Sequence, residues 1–183
     1  MKNDPTALQG SLLLADPSLR ASWFGRSVIL ITHHAASEGT RGLVMNRPAE
    51  GRTLENLLPS PDFKELRKVP VYEGGPVSPG ELMLVALRWN HTTGQLDCRS
   101  PLGIAGAIRA RSQGWDIRAF TGYTGWSAGQ LKDELAQSSW IIAPPQLLAL
   151  EGTAAGLWSR LLRNMEDPRY ALLADLPDDP GLN

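Results

Sequence analysis

Short aliphatic runs separated by turn-forming residues open the chain. "GSLLLADP" (residues 10–17) and "RSVILITHH" (26–34) pack aliphatic and β-branched residues between Gly, Asp and Pro, the pattern of short buried strands. "TRGLVMNRP" (40–48) predicts a third strand ended by Pro48, and the polar "HHAASEGTR" with its Gly39 predicts the hairpin that joins the second to the third. Further on, "VPVYEGGPVSPGELMLVAL" (69–87) reads as strand, glycine-proline turn, strand; "WDIRAFTGY" (115–123) and "WIIAP" (140–144) add two more strands.

Helical spacing enters between these strands. Thr53 can cap a short helix at "TLENLL", and "PDFKELRK" adds a helical turn before Pro70. In "SPLGIAGAIRARSQG", Ser100 is placed to cap, Pro101 to sit at the first helical position, Ile104 and Ile108 on one face, and Gly114 to end the helix. "AGQLKDELAQ" predicts another helix, and a last one from Thr153 to about Asn164 sets Leu157, Trp158, Leu161 and Leu162 on one stripe. Strands run in neighbouring pairs before helices appear, so the expected class is α+β: one domain of bent, mixed or antiparallel sheet with helices packed around it. The expected boundaries are a flexible N-terminus at 1–9, the domain at 10–174 and a flexible tail at 175–183, where Pro, Asp and Gly dominate.

Composition narrows the function classes. Eighteen Lys and Arg against nineteen Asp and Glu leave a net charge of -1, so no global positive field favours nucleic acid. The start, "MKNDPTALQG", lacks the apolar core of a signal peptide, and the longest aliphatic runs are too short to span a bilayer. With Cys98 as the single cysteine, no internal disulfide and no thiolate-rich metal site can form, and a cytoplasmic location is expected. No cofactor or metal is expected.

One motif invites a catalytic reading. "GWSAG" (125–129) spells G-x-S-x-G, the elbow that carries the serine nucleophile in many hydrolases. A serine hydroxyl needs a histidine to take its proton, and in the α/β-hydrolase order that histidine follows the serine. His33, His34 and His91 all precede Ser127, which excludes that order. Ser127 stands three residues before Gln130, the spacing of a capping box, with Asp133 and Glu134 near the positive end of the helix dipole. The capping reading is the better specified.

The remaining chemistry is sparse. Adjacent residues in a strand face opposite ways, so at most one of His33 and His34 can enter any one site. Cys98 is read as a small packing residue, although Arg99 beside it would lower its pKa if the side chains approached. "EGGP" (73–76) lacks the spacing of a phosphate-binding loop and reads as a tight turn. The six tryptophans read as core and rim residues, and Arg109 and Arg111 complement a helix C-terminus.

Taken together, "GSLLLADPSL", "RSVILITHH", "GLVMNRP", "VYEGGPV" and "GYTGWSAGQLKDEL" resemble the YqgE/AlgH family of small bacterial proteins, over about Gly10 to Pro168. The distinctive pieces are N-R-P (46–48), G-G-P (74–76) and G-W-x-x-G-Q-L (125–131). The resemblance implies bent, branching β-sheets with helices around them. It carries a label of transcriptional regulator, drawn from alginate control in one branch, and a frequent gene neighbour similar to a Holliday-junction resolvase, but no catalytic residues. Many members have "LCEH" where this chain has Ile31-Thr32-His33-His34, so thiol chemistry is absent at Thr32; the position of Ser127 is often Gly or Ala in relatives.

The leading expectation is a non-catalytic binding or regulatory protein for an unidentified protein or small-molecule partner. Its surface would gather Asn46, Arg47, Glu73, Gly74, Gly75, Trp126 and Gln130, residues that fall at strand ends and turns, where scaffolds present binding groups. A rival reading gives these residues only the work of fixing turns in a bent sheet. An enzyme using Glu73 or His34 as acid-base group in a nearby pocket is the second hypothesis, and a direct DNA-binding regulator with a local basic surface the third.

Overall fold

A computed structural model describes residues 8–176. Among them run nine strands and five α-helices: β1 (Leu12–Ala15), β2 (Val28–Ala35), β3 (Gly39–Val44), β4 (Pro48–Thr53), α1 (Leu54–Leu57), β5 (Pro70–Glu73), β6 (Val77–Asn90), β7 (Gln95–Leu102), α2 (Ile104–Ser112), β8 (Asp116–Trp126), α3 (Gln130–Ala136), β9 (Trp140–Ala143), α4 (Leu157–Arg163) and α5 (Arg169–Ala174). The class is α+β, as the alternation of strand pairs and helices predicts.

The sheet branches at β8. Strands follow the order β4-β5-β8-β3-β2-β1-β9, while β6 also pairs with β8 and carries β7 on its other side. The first half of β8 lies between β5, its one parallel neighbour (Val71 opposite Ala119), and β6 (Leu82 to Leu87 opposite Thr121 to Asp116). Its second half leaves β5, keeps β6 only through Val77 opposite Tyr123, and pairs with β3, Thr40 opposite Trp126. Gly122, at φ +66°, marks the change of partner.

That branch needs backbone to pass against backbone. A Cβ on Gly75 would lie 2.2 Å from the Tyr123 carbonyl, one on Gly74 would lie 2.3 Å from the Gly122 oxygen, and one on Gly122 would lie 2.4 Å from the Gly75 oxygen. No side chain fits this crossing. The Gly74 amide donates to Thr121 O at 2.8 Å and its carbonyl accepts from Val44 at 3.0 Å, so the G-G-P segment is tied to β8 and β3 at once.

Three hydrophobic clusters fill the space around the sheet, and β1 shows how a continuous apolar run is used. Leu12 and Leu14 point into a cluster closed by Leu157, Trp158, Leu161 and Leu162 of α4; Leu13 and Ala15 point the other way, onto Trp126, Leu131 and Trp140. All four residues of β1 are fully buried. The third cluster lies between the β6–β8 face and α1 and α2, with Leu84, Ala86, Ile117 and Ala119 against Ala107 and Ala110. Cys98 packs half-buried against the first cluster, and burial pushes its thiol up to about 11. Arg99 turns away from it, onto the Trp115 ring.

α3 docks through one carboxylate. Glu134 Oε2 accepts the indole N–H of Trp126 at 2.8 Å and that of Trp140 at 2.7 Å, and Oε1 accepts from Gln130 at 2.9 Å. The two indoles meet edge to face with centroids 5.8 Å apart. The helix begins at Gln130, not at the serine: the Ser127 hydroxyl receives no amide from the first turn, the Gln130 amide going instead to the Ser127 carbonyl at 3.1 Å, and Ser127 N–H and hydroxyl donate to Gln130 Oε1 at 3.0 and 3.2 Å. Half of the expected capping box exists, the half in which glutamine reaches back.

Other boundaries shift for identifiable reasons. Ser100 and Pro101 do not open α2; they extend β7, whose Leu102 still pairs with Leu84, and Gly103 takes the cap position. β7 itself went unread because only Leu96 is buried among its mostly polar residues. Thr53 does cap α1, with Asn56 completing the box. α4 starts at Leu157 and not at Thr153, because Arg160 Nη atoms draw the carbonyls of Thr153 and Ala155 outward at 2.7 and 2.8 Å. Pro48 begins an additional strand, β4, at the sheet edge, where its missing N–H is harmless. Residues 1–7 and 177–183, most of the two expected flexible ends, lie outside the described residues; of the ends that are described, Leu8 packs against the cluster of Leu13 and Ala15, and Asp175 accepts from Arg163 at 2.5 Å.

Gly75→Ala is expected to destabilise by about 3 kcal/mol or more, since backbone must move, while Gly80→Ala, with open space at its Cβ, stays within about 0.5 kcal/mol. Chemical denaturation of both variants checks this. Glu134→Ala strands two part-buried indole donors and should cost about 2–4 kcal/mol, with Glu134→Gln intermediate because one acceptor oxygen remains. In the native chain at pH 8, Cys98 should react with iodoacetamide about a hundredfold more slowly than in the urea-unfolded chain, a ratio mass spectrometry reads directly.

Candidate functional site

The three motifs singled out in the sequence meet around the branch of β8 through backbone. Arg47 O accepts from the Glu73 amide at 2.8 Å, which joins N-R-P to G-G-P, and Gly75 rests on Tyr123, three residues before Trp126. Their side chains divide into two groups. Asn46 faces the loop before β2, accepting from Val28 N and donating to Arg26 O, both at 2.9 Å, as a substitute strand partner. Arg47 lies 4.0 Å over the Trp23 ring and donates to Gly25 O and Ser27 Oγ at 3.3 Å. Burial pulls its pKa below the ordinary arginine value, and the exposed Glu73 carboxylate opposes that fall. Trp126 and Gln130 form the second group, around Glu134.

Trp126 also borders a concavity. An open cleft of about 450 Å³ is bounded by His33, Glu38, Gly39, Thr40, Arg41, Val77, Tyr123, Gly125 and Trp126. The β2–β3 hairpin forms one wall and the turn into β6 the other, with the second half of β8 as floor. The Arg41 guanidinium stands 5.7 Å from the Tyr123 ring centroid, and Val77 is exposed beside it. At the rim His33 Nε2 lies 3.6 Å from Glu38.

A bulge in β2 sorts the histidines. The register skips Thr32, with Ile31 opposite Gly42 and His33 opposite Arg41, and the Thr32 hydroxyl donates to Arg41 O at 3.3 Å. His33 enters the cleft lining, whereas His34 Nδ1 lies 2.6 Å from the Thr40 hydroxyl. Neither Glu73 nor His34, the acid-base candidates of the enzyme hypothesis, lines this cleft. The Ser127 hydroxyl is engaged with Gln130, and no serine-histidine couple and no metal-binding cluster of His, Cys, Asp and Glu occurs among the described residues. No helix among them is long and apolar enough to cross a membrane.

Sequence reasoning missed Arg41, Tyr123 and Val77. Alternation along "TRGLV" places Arg41 on an outward face, a signal that was available. Its pairing with Tyr123 was not, because β3 and β8 are brought together only by the long-range pairing of Thr40 with Trp126. Glu134 was read as a dipole partner of α3; its accepting role depends on Trp140, which arrives on a different strand.

Comparison with known proteins places the whole arrangement. The AlgH-like family matches residues 12–169. The UPF0301 protein of Thermobifida fusca is 32% identical over 98% of this chain and 98% of its own length, and that of Chlorobium phaeobacteroides is 34% identical over the full length of both. Among solved structures, the AlgH protein of Pseudomonas aeruginosa superposes with a TM-score of 0.67 at 24% identity, covering 97% of this chain and 98% of its own. A crystal structure of a Corynebacterium diphtheriae protein gives 0.69 at 23% identity, over 96% and 95% of the two chains. These last two likenesses show the fold, and the curated relatives, matched end to end, show the lineage. With N-R-P, G-G-P and G-W-x-x-G-Q-L set around one branching strand, and relatives above 30% identity along nearly all its length, this chain belongs to the AlgH-like, UPF0301 family.

Proposed function

We propose that this chain is a cytoplasmic, non-catalytic binding protein with a regulatory role, and that its ligand seats in the cleft between the β2–β3 hairpin and the turn into β6. The observation that carries this reading is the lining itself: one exposed guanidinium beside an aromatic ring, with Val77 and Trp126 supplying apolar surface. Binding sites of this size combine apolar walls with a few fixed polar groups. Such a lining suits a ligand with an anionic group next to a flat apolar body: Arg41 meets the acid, and Tyr123 and Trp126 meet the body.

Under this reading the motif residues act at one remove. Gly74 and Gly75 hold the turn that presents Val77, Gln130 and Glu134 hold Trp126 in the wall, and Asn46 and Arg47 brace the loop from Trp23 to Ser27. The absence of a serine-histidine couple around Ser127 among the described residues favours binding over hydrolysis.

The test is an amide NMR titration of the ¹⁵N-labelled protein with fractionated small-molecule extract, followed by mass spectrometry of the bound compound. Saturable shifts should map to Arg41, Tyr123 and Trp126, weaken about tenfold in Arg41→Ala, and persist in Arg47→Ala. Shifts confined to other faces would displace the site. Recovery of the compound in chemically altered form would replace binding with catalysis.

A further inference from the structure

On the opposite limb of the sheet from the cleft, Trp115 sits immediately before β8 with hydrogen-bond donors around it and little to accept them. It is 5% exposed, and its indole N–H is buried without a partner. Two arginines stack on its ring: the Arg88 guanidinium 4.3 Å and the Arg99 guanidinium 4.2 Å from the centroid. Both are supplied by the β6–β7 hairpin, where Ala86 lies opposite Arg99 and Arg88 opposite Asp97, so they project from one face as diagonal neighbours. Their side chains reach solvent at the outer edge.

The local balance of donors and acceptors is one-sided. Asp97 is the carboxylate in contact with this group, 3.4 Å from Arg88. Asp116 is drawn to Arg118 at 2.8 Å, and Arg111, at the end of the adjoining helix α2, donates to the Glu65 carbonyl. Arg99 has no ion-pair partner among the described residues; its visible contact is the ring. A buried indole N–H without an acceptor is unfavourable, and here it lies next to two cations.

We propose that Arg88, Arg99 and the indole N–H of Trp115 form a binding site for a phosphate oxyanion. The planar guanidinium forks match the oxygens of a phosphate, and two positive charges answer the charge of up to two that it carries. A single carboxylate would satisfy one fork and leave the other. An oxyanion that draws the two guanidinium groups around itself supplies the acceptor that the indole N–H lacks. Because Trp115 is packed beneath the arginines, the site reads a phosphate and not a base, so binding to a nucleic-acid strand through it would be independent of sequence.

The Trp115 indole N–H resonance, assigned by its loss in Trp115→Phe, is the readout. The full chain is titrated at constant ionic strength with inorganic phosphate, with pyrophosphate and with a short oligothymidine, using sodium chloride and polyglutamate as controls. The resonance should shift saturably with at least one phosphate arm, and Arg99→Gln and Arg88→Gln should each weaken that binding about tenfold, with Arg99→Lys between them and wild type. Saturation by inorganic phosphate or pyrophosphate identifies a free oxyanion. Saturation by oligothymidine alone, with affinity falling steeply as salt rises, identifies the phosphate of a strand. A resonance that no phosphate arm moves, equal binding by well-folded Arg99→Gln, or an equal response to polyglutamate overturns the proposal.

Discussion

The structure depends on one close approach, the passage of the G-G-P backbone against the bend of β8. Gly74 and Gly75 come within van der Waals contact of the backbone of Gly122 and Tyr123, at separations where a Cβ would overlap. Because they can, β8 serves both limbs of the branched sheet: its first half completes the β5 and β6 side, and its second half completes the β3 side. The same crossing carries the hydrogen bonds that fix Val44, Glu73 and Arg47. A wider approach would separate the two limbs and open the cleft wall at Val77.

A second constraint is electrostatic. The Glu134 carboxylate takes two indole N–H groups and a glutamine amide, which fixes the rotation of α3 and the position of Trp126 together. Edge-to-face contacts extend the chain of rings from Trp126 through Trp140 to Phe24 and Trp23, where Arg47 lies on the outermost ring. The N-R-P and G-W-x-x-G-Q-L motifs are thereby linked through packed aromatic faces.

The candidate site was legible in part. Trp126 could be named from its motif, and the exclusion of a hydrolase triad followed from histidine order alone, before any geometry. Arg41 and Tyr123 could not be paired, because each sits in an unremarkable polar-apolar alternation and the bulge at Thr32 that aligns Arg41 with His33 leaves no mark in composition. The donor-rich surround of Trp115 was equally hidden, since Arg88 and Arg99 are distant from it in sequence and meet it only because β6 pairs with both β7 and β8.

The linear chain by itself determined the strongly apolar elements, but not β4, β7 or α5. Aliphatic runs bounded by Gly, Asp and Pro specified β1, β2 and β9, and Leu157, Trp158, Leu161 and Leu162 specified the buried stripe of α4, because burial of apolar surface at period 2 or 3.6 is a local property of the chain. Helix starts and partner choice were decided elsewhere. Ser100 and Pro101 have the chemistry of a helix entrance and became strand, since pairing Leu102 with Leu84 satisfies backbone groups that a cap would leave to solvent. Ser127 has the chemistry of a nucleophile or a cap and became a donor to Gln130, because Glu134 holds that helix against two tryptophans from different strands. Hydrogen-bonding capacity is written into each residue, but which partner uses it depends on what the fold brings within about 3 Å.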